Sequence, residues 1–249
     1  MRERFKDKVV LITGAANGLG LGMAEQFLQE GARIAAFDIE KETLEKAFAG
    51  REDRVFCAVC DVSDYDQVQA AVASAADHFG RIDILMNNAG ICPRAPFLEC
   101  SKETWDKGIN INLNGNFYVA QAVARVMVEK GIRGVIVNTS SVSARKSMTN
   151  ITPYCPSKAA VSMLTQVEAL ELAQYGIRVN AFGPGTSKTR ISEGTRFNEE
   201  RNRAFLAKMP FHRYGEIKEA VDTALFLASD EASFIVGETL FEDGGFCLV

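Results

Sequence analysis

The stretch KVVLITGAANGLGLGMAEQFLQEG, residues 8–31, carries three signals in succession. KVVLIT is apolar almost throughout, which predicts a strand covered on both faces. GLGLGMAEQFLQEG has the apolar spacing of an amphipathic helix and ends in glycine, a common helix stop. Between them, TGAANGLG (13–20) makes a turn containing Gly14, Gly18 and Gly20. Backbone without side chains can come close to a phosphate there, and the helix N-terminus offers free N–H groups and a partial positive charge. A tight turn alone would explain the glycines, but the strand before and the helix after favour a phosphate cradle. Gly14, Asn17, Gly18, Leu19 and Gly20 are its candidate contacts.

The pattern continues outward. Further strands are predicted at RIAAFD (33–38), VFCAVC (55–60), DILMN (83–87), GVIVNTS (134–140), RVNAFG (178–183) and TLFE (239–242), separated by helical runs. Regular β-α-β alternation of apolar strands predicts a doubly wound α/β sheet with right-handed crossovers. Asp38 closes the second strand eighteen residues after Gly20. In dinucleotide folds an acid at that place accepts hydrogen bonds from the adenosine ribose, and it repels a 2′-phosphate. No base stands near it before Lys41, so NAD is expected over NADP. A helix N-cap ahead of IEKETLEK is the duller role for Asp38.

The chain has 249 residues, 47% hydrophobic and 24% charged, with a net charge of −4, a balance that suits one globular domain over 1–249. No basic arm points to nucleic acid. No apolar run is long enough to cross a bilayer, and no leader precedes the first strand, so a cytoplasmic protein is expected. His78 and His212 lie far apart without ligand spacing, so no metal is expected. Cys57 and Cys60 spell C-A-V-C, but on a strand residues three apart face opposite sides and the thiols diverge. The segment 186–213 fits the alternation poorly and holds seven Lys/Arg against three Glu. It reads as a substrate loop or lid, or simply as a solvated face.

TGAANGLG (13–20), DV (61–62), NNAG (87–90), NINLNG (110–115), SS (140–141), YCPSK (154–158), PGTSKT (184–189) and DGG (243–245) together resemble the short-chain dehydrogenase/reductase family in its single-domain form, over nearly the whole chain. The resemblance implies a Rossmann-like, seven-stranded parallel sheet with helices on both faces and a nicotinamide cofactor across its C-terminal strand ends. It implies that Asp61 and Val62 lie near the adenine, that Asn88, Ala89 and Gly90 support the cofactor, and that Pro184, Gly185, Thr186 and Thr189 hold its nicotinamide end. It also implies a homo-oligomer, tetramer or dimer, through helices in 101–130 and 154–175.

Tyr154 and Lys158 are four residues apart and share a face if a helix begins at Pro153 or Tyr154; Pro156 then falls in the first turn, where no intrahelical N–H bond is lost. The family more often has a small residue at that place. A tyrosine of pKa about 10 is a poor base, and a nearby ammonium favours its phenolate. Tyr154 is thus the expected acid/base, with Lys158 its modulator and, by resemblance, a ribose ligand. Ser141, matching the family's serine, would orient the substrate oxygen; no G-x-S-x-G surrounds it, which argues against acyl chemistry. Alignment on the family places Asn112, rather than its neighbours Asn110 and Asn114, at a bent helix that holds a relay water. Arg94, Ser143, Arg145 and Asn150 are candidate substrate contacts beside Ser141.

The expected activity is NAD-dependent interconversion of a secondary alcohol (a polyol, sugar or hydroxy acid) and its ketone. The rivals are an NADPH-dependent 3-oxoacyl thioester reductase and a non-catalytic dinucleotide-binding scaffold.

Overall fold

Side chains alternate across a strand, so an all-apolar strand feeds two cores. In the computed structural model, which describes residues 3–188 and 192–249, the first strand, β1 (Val9–Thr13), does this. Val10 and Ile12 pack on one face with Met23, Phe27, Val221 and Leu225. Leu11 packs on the other with Val68, Val72, Val119, Val123 and Met127. Full burial of each such side chain contributes about 1.5–3 kcal/mol.

The remaining strands are β2 (Arg33–Asp38), β3 (Val55–Val59), β4 (Ile84–Asn87), β5 (Val135–Thr139), β6 (Arg178–Pro184) and β7 (Thr239–Glu242). All pair in parallel, in the order β3-β2-β1-β4-β5-β6-β7. The strand order reverses between β1 and β4, and ligands of such sheets bind outside the strand C-termini at that point. Cys57 joins the first core and Cys60 the second, so the two thiols do face opposite sides of the sheet.

The helices are α1 (Gly18–Gln29), α2 (Lys41–Phe48), α3 (Tyr65–Phe79), α4 (Lys102–Ile109), α5 (Gly115–Glu129), α6 (Tyr154–Leu172), α7 (Glu193–Arg196), α8 (Glu199–Leu206) and α9 (Ile217–Ala228). Asp64 caps α3 by accepting from Gln67 N, and Gly80 ends it in the left-handed region that glycine tolerates. One π turn, Asn110–Asn114, joins α4 to α5. None of the described helices is long and apolar enough to cross a membrane.

Candidate active site

At the end of β1 the glycines permit a close turn. A Cβ on Gly20 would lie 1.9 Å from the Gly14 carbonyl oxygen, and Gly14 has φ +66°. Asn17 caps α1 with an extended backbone and no side-chain cap bond, leaving the first N–H groups of the helix free of side-chain acceptors. Leu19 packs its side chain against the core behind them. This cradle fits a dinucleotide pyrophosphate. Asp38 ends β2 nearby, its carboxylate accepting from Ala16 N at 2.9 Å and Glu40 N at 3.0 Å. Glu40, not Asp38, is the N-cap residue of α2, so the duller role for Asp38 is corrected: its bonds tie the glycine turn to β2. A carboxylate has lone pairs to spare for ribose hydroxyls after those two bonds.

The loop after β4 closes over the same edge. Asn88 N and Ala89 N donate to Thr13 Oγ1 at 2.9 and 3.0 Å, and Asn88 Nδ2 donates to the Thr13 carbonyl at 3.0 Å. Asp61 accepts from Ser63 N and Ser63 Oγ, and buried Val62 packs under Gly115 at the start of α5. Beyond β6, Gly185 N donates to the Glu242 carbonyl at 2.7 Å, and a Cβ there would meet Asp243 Cα at 2.8 Å. Pro184, Gly185 and Thr186 therefore lie at the C-terminal ends of β6 and β7, the same end of the sheet as the glycine turn. Thr189 lies outside the described residues.

The candidate reacting groups meet at the head of α6. Pro153 precedes the helix with φ −76° and ψ −26°, and Pro156 is its third residue, inside the first turn as expected. Cys155 is helical although a proline follows it; its N–H reaches the Ile151 carbonyl at 3.3 Å. Ser141, just past β5, brings its hydroxyl close enough to the Tyr154 phenol to pull its pKa down, and accepts from Ser143 N at 3.1 Å. Lys158 is buried; its Nζ donates to the Thr139 carbonyl at 2.7 Å and lies 5.9 Å from the Tyr154 ring centroid. The neighbouring Ser140 is structural, bonded to Ser162 Oγ and the Lys158 carbonyl.

Burial pushes the Tyr154 phenol up to about 12 against the downward pull of the Ser141 hydroxyl, and burial brings the Lys158 ammonium down to about 8. The expected lowering of the phenol by Lys158 is thus corrected for the chain by itself: desolvation dominates, and the ammonium is turned to a backbone carbonyl.

Asn112 stands in the π turn, buried, where the others of its run are not: Asn110 is exposed, and Asn114 donates to it. Asn112 Oδ1 accepts from Ile91 N at 2.9 Å, and its Nδ2 donates to the Ile91 carbonyl and to Ser157 Oγ. It thereby clamps the loop after β4 onto α6. A Cβ on Gly90 would stand 3.1 Å from Asn112 Oδ1 and 3.3 Å from Lys158 Nζ, a tight fit against both groups.

The substrate-side candidates divide. Ser143 is buried with a hydroxyl that finds no partner among the described residues, suited to an incoming polar group. Arg94 and Asn150 are exposed, brought side by side by the bridge between Ala95 and Ile151. Arg145 is drawn onto the Phe241 ring, 5.6 Å from its centroid. Several bases of the 186–213 segment are already paired: Lys188 with Glu216, Arg203 with Glu199 and Arg213 with Glu219. Arg190 lies outside the described residues. Cys92 and Cys155, which sequence reasoning passed over, both lie close enough to Tyr154 to raise its pKa; only the fold brings Cys92 there.

A family model described as enoyl-(acyl carrier protein) reductase matches residues 14–247. The chain is 41% identical over 245 residues to the 3-oxoacyl-(acyl-carrier-protein) reductase FabG of Thermotoga maritima, covering 97% of this chain and 98% of that one. It is 38% identical over 252 residues to the sorbitol dehydrogenase of Cereibacter sphaeroides, again 97% and 98% of the two chains. A gluconate 5-dehydrogenase from Burkholderia cenocepacia, solved with NADP and tartrate, superposes with a TM-score of 0.94 at 36% identity, covering 100% of this chain and 98% of that one. With a dinucleotide-type glycine cradle, a Tyr-Ser-Lys cluster and these relatives along its whole length, the chain belongs to the short-chain dehydrogenase/reductase family and is an NAD(P)-dependent oxidoreductase acting on CH–OH groups.

Proposed function

We propose that this enzyme interconverts a secondary alcohol of a polyol, sugar or hydroxy acid with its ketone, using NAD. The observation that carries the reading is the Tyr154–Ser141 hydroxyl pair, held beside Lys158 at the edge where the glycine cradle opens. The nicotinamide, when bound, supplies the hydride acceptor or donor and, oxidised, a positive charge. Tyr154 exchanges the proton of the substrate oxygen: it takes it in oxidation and returns it in reduction. Ser141 donates a hydrogen bond to that oxygen as charge develops there. Lys158 supplies a cation near the phenol and a donor toward the cofactor ribose, and Asn112 holds the loop and helix that frame both. Gly14, Asn17, Gly18, Leu19 and Gly20 cradle the pyrophosphate. Asp61 and Val62 flank the adenine, Asn88, Ala89 and Gly90 support the cofactor, and Pro184, Gly185, Thr186 and Thr189 hold its nicotinamide end.

Asp38 supports NAD, since its anion would face a 2′-phosphate. It argues equally against the thioester reductase that would use NADPH. Ser143, Arg94, Arg145 and Asn150 are read as the substrate side. We read the 186–213 segment as a cover on that side within a single domain, since Ser187 near its start pairs with Gly215 just past its end, and Met209 packs on Val142, next to Ser141. A homo-oligomer is read from α6, where Met163 (59% exposed), Val167 (45%) and Leu170 (81%) share one face; a monomer in sedimentation would contradict it. A panel of polyols, sugars and hydroxy acids, offered with NAD and with NADP and followed by cofactor absorbance, tests the reading. Turnover of at least one member with NAD is expected. Binding of NADH without any turnover would favour the scaffold.

A further inference from the structure

Parallel pairing brings the starts of the strands to one edge of the sheet, opposite the end that carries the glycine turn. The residues that gather at that edge are basic. Lys8 precedes β1, Arg33 opens β2, Arg81 comes shortly before β4 and Arg133 shortly before β5. Arg33 N donates to the Lys8 carbonyl at 2.8 Å, Asp83 N to the Val9 carbonyl at 2.9 Å and Val135 N to the Asp83 carbonyl at 3.0 Å, so these starts stand in one row. Neighbouring strands are about 4.8 Å apart, which makes the row about 14 Å across. Beside it opens a cavity of about 730 Å³, lined by Lys8, Arg81, Lys130 and Arg133, with Phe79 and Ile132 as its apolar wall. Arg33 lies against that wall, its guanidinium 5.3 Å from the centre of the Phe79 ring.

An ordinary cause accounts for part of this charge. A base at a helix C-terminus offsets the partial negative charge there, which explains Lys130 at the end of α5. It does not explain Lys8 or Arg33, because sheets carry only a small net dipole. The carbonyls at the end of α5 are also engaged by the chain itself: Ile132 N donates to the Met127 carbonyl at 2.8 Å and Gly131 N to that of Val128 at 3.1 Å. The one acid in the lining is Asp83, which is buried and already matched. Val9 N and Arg81 Nε both donate to its Oδ2 at 2.9 Å, and Arg81 Nη2 donates to its Oδ1. Asp7 and Glu129, next in sequence to two of the bases, do not line the cavity. Lys8 comes only within 4.0 Å of Asp83, and Lys130 and Arg133 have no carboxylate partner among the described residues. The Arg133 side chain lies against Gly176, where a Cβ would stand 2.5 Å from its Nε and displace it. On a chain whose net charge is −4, five bases gathered around one neutralised acid make a local field that attracts anions.

We propose that this cavity, at the opposite end of the sheet from the glycine turn, binds a chain of two or more linked phosphates, with Lys8, Lys130 and Arg133 as its contacts. A row of bases suits several linked anions better than a single one. Arg81 stays with Asp83 and frames the site. The apolar wall of Phe79 and Ile132 has room for the base of a nucleotide that carries such a chain.

The test titrates the whole chain with tripolyphosphate by calorimetry, with NADH present to fill the glycine cradle. Binding at one site per chain is expected, and it weakens as salt is added, because exposed charges are screened beyond about 10 Å at 0.1 M. The double variant Lys130→Ala, Arg133→Ala binds about tenfold more weakly or worse, the span of one hydrogen bond to a charged group. Its thermal midpoint and its turnover stay close to wild type, since both side chains are exposed and far from Tyr154. ATP is the second probe. Tighter binding of ATP than of tripolyphosphate assigns the site to a nucleotide, and equal or weaker binding assigns it to the inorganic chain. No binding at millimolar tripolyphosphate overturns the proposal. So does a double variant that binds as wild type does, which would put the anion elsewhere. Binding that NADH abolishes also overturns it, since the anion would then occupy the glycine cradle.

Discussion

A phenol held at about 12 is a proton donor at neutral pH, so the chain by itself is set in the state that ketone reduction requires. Alcohol oxidation needs the phenolate, and each unit of pKa above ambient costs about 1.4 kcal/mol. The cations that offset this are Lys158, still largely an ammonium at pH 7 with a pKa of about 8, and the oxidised cofactor. At the other end of the cleft, Asp38 anchors Ala16 N and Glu40 N, and in the proposed function it takes the ribose as well. We expect Asp38→Ala to lower kcat/KM with NAD about tenfold and to raise it with NADP, because the like-charge conflict is gone. Rates with the two cofactors check this, and an unaltered NAD preference would remove Asp38 from the adenosine site. The pairing of Tyr154 with Lys158 was legible in the sequence because spacing alone places them on one helical face. The direction of the Tyr154 shift was not, since it depends on neighbours that only the fold brings to the phenol, Ser141 past β5 and Cys92 past β4 among them.

Within α6, Pro156 occupies a position whose N–H has no partner inside the helix, so the ring removes nothing. Pro156→Ala is therefore expected to leave kcat within about twofold and stability within about 1 kcal/mol. A loss of activity beyond tenfold in steady-state assays would show that the ring itself sets the angle of Tyr154. The run 101–130 shows what sequence could not supply. Its periodicity marks helix, but NINLNG does not announce that the ladder widens into a π turn at Asn110–Asn114. That turn faces Asn112 to Ile91 and Ser157, contacts made across the fold. α9 was missed although its signal was present: Glu216 and Glu219 form a capping box before AVDTALFLA. The charge-rich 186–213 segment hid it, because the partners of Lys188 and Arg213 are glutamates of that next helix.

At the scale of the molecule, seven strands placed to within a residue or two followed from apolar runs bounded by glycine and polar turns, and the parallel order followed from strand–helix alternation. The polar layer across the sheet was not legible, because Thr13, Asn87, Asn138 and Glu168 lie far apart in sequence and meet only through pairing. Two carboxyls, one in that layer and one on β7, have a thermodynamic consequence. Glu168 and Glu242 each have pKa values raised from 4.5 to about 7, Glu168 by burial against the Asn138 bond, Glu242 by burial and the nearby Glu219 and Asp243 against Arg213. Between those values the unfolded chain holds fewer protons than the folded one, so this contribution to stability is full below pH 4.5 and is lost as pH rises through 7. Thermal unfolding of Glu168→Gln at pH 5 and pH 8 should show a smaller fall in Tm across that interval than wild type, and identical falls would contradict the buried, raised carboxyl. The claim on which the chemistry depends is that Tyr154 moves the proton. It is tested most directly by measuring NADH formation from the best alcohol of the panel with Tyr154→Phe, with NADH binding measured alongside: turnover should drop by on the order of 10²–10⁴-fold while binding persists, and turnover equal to wild type would contradict it.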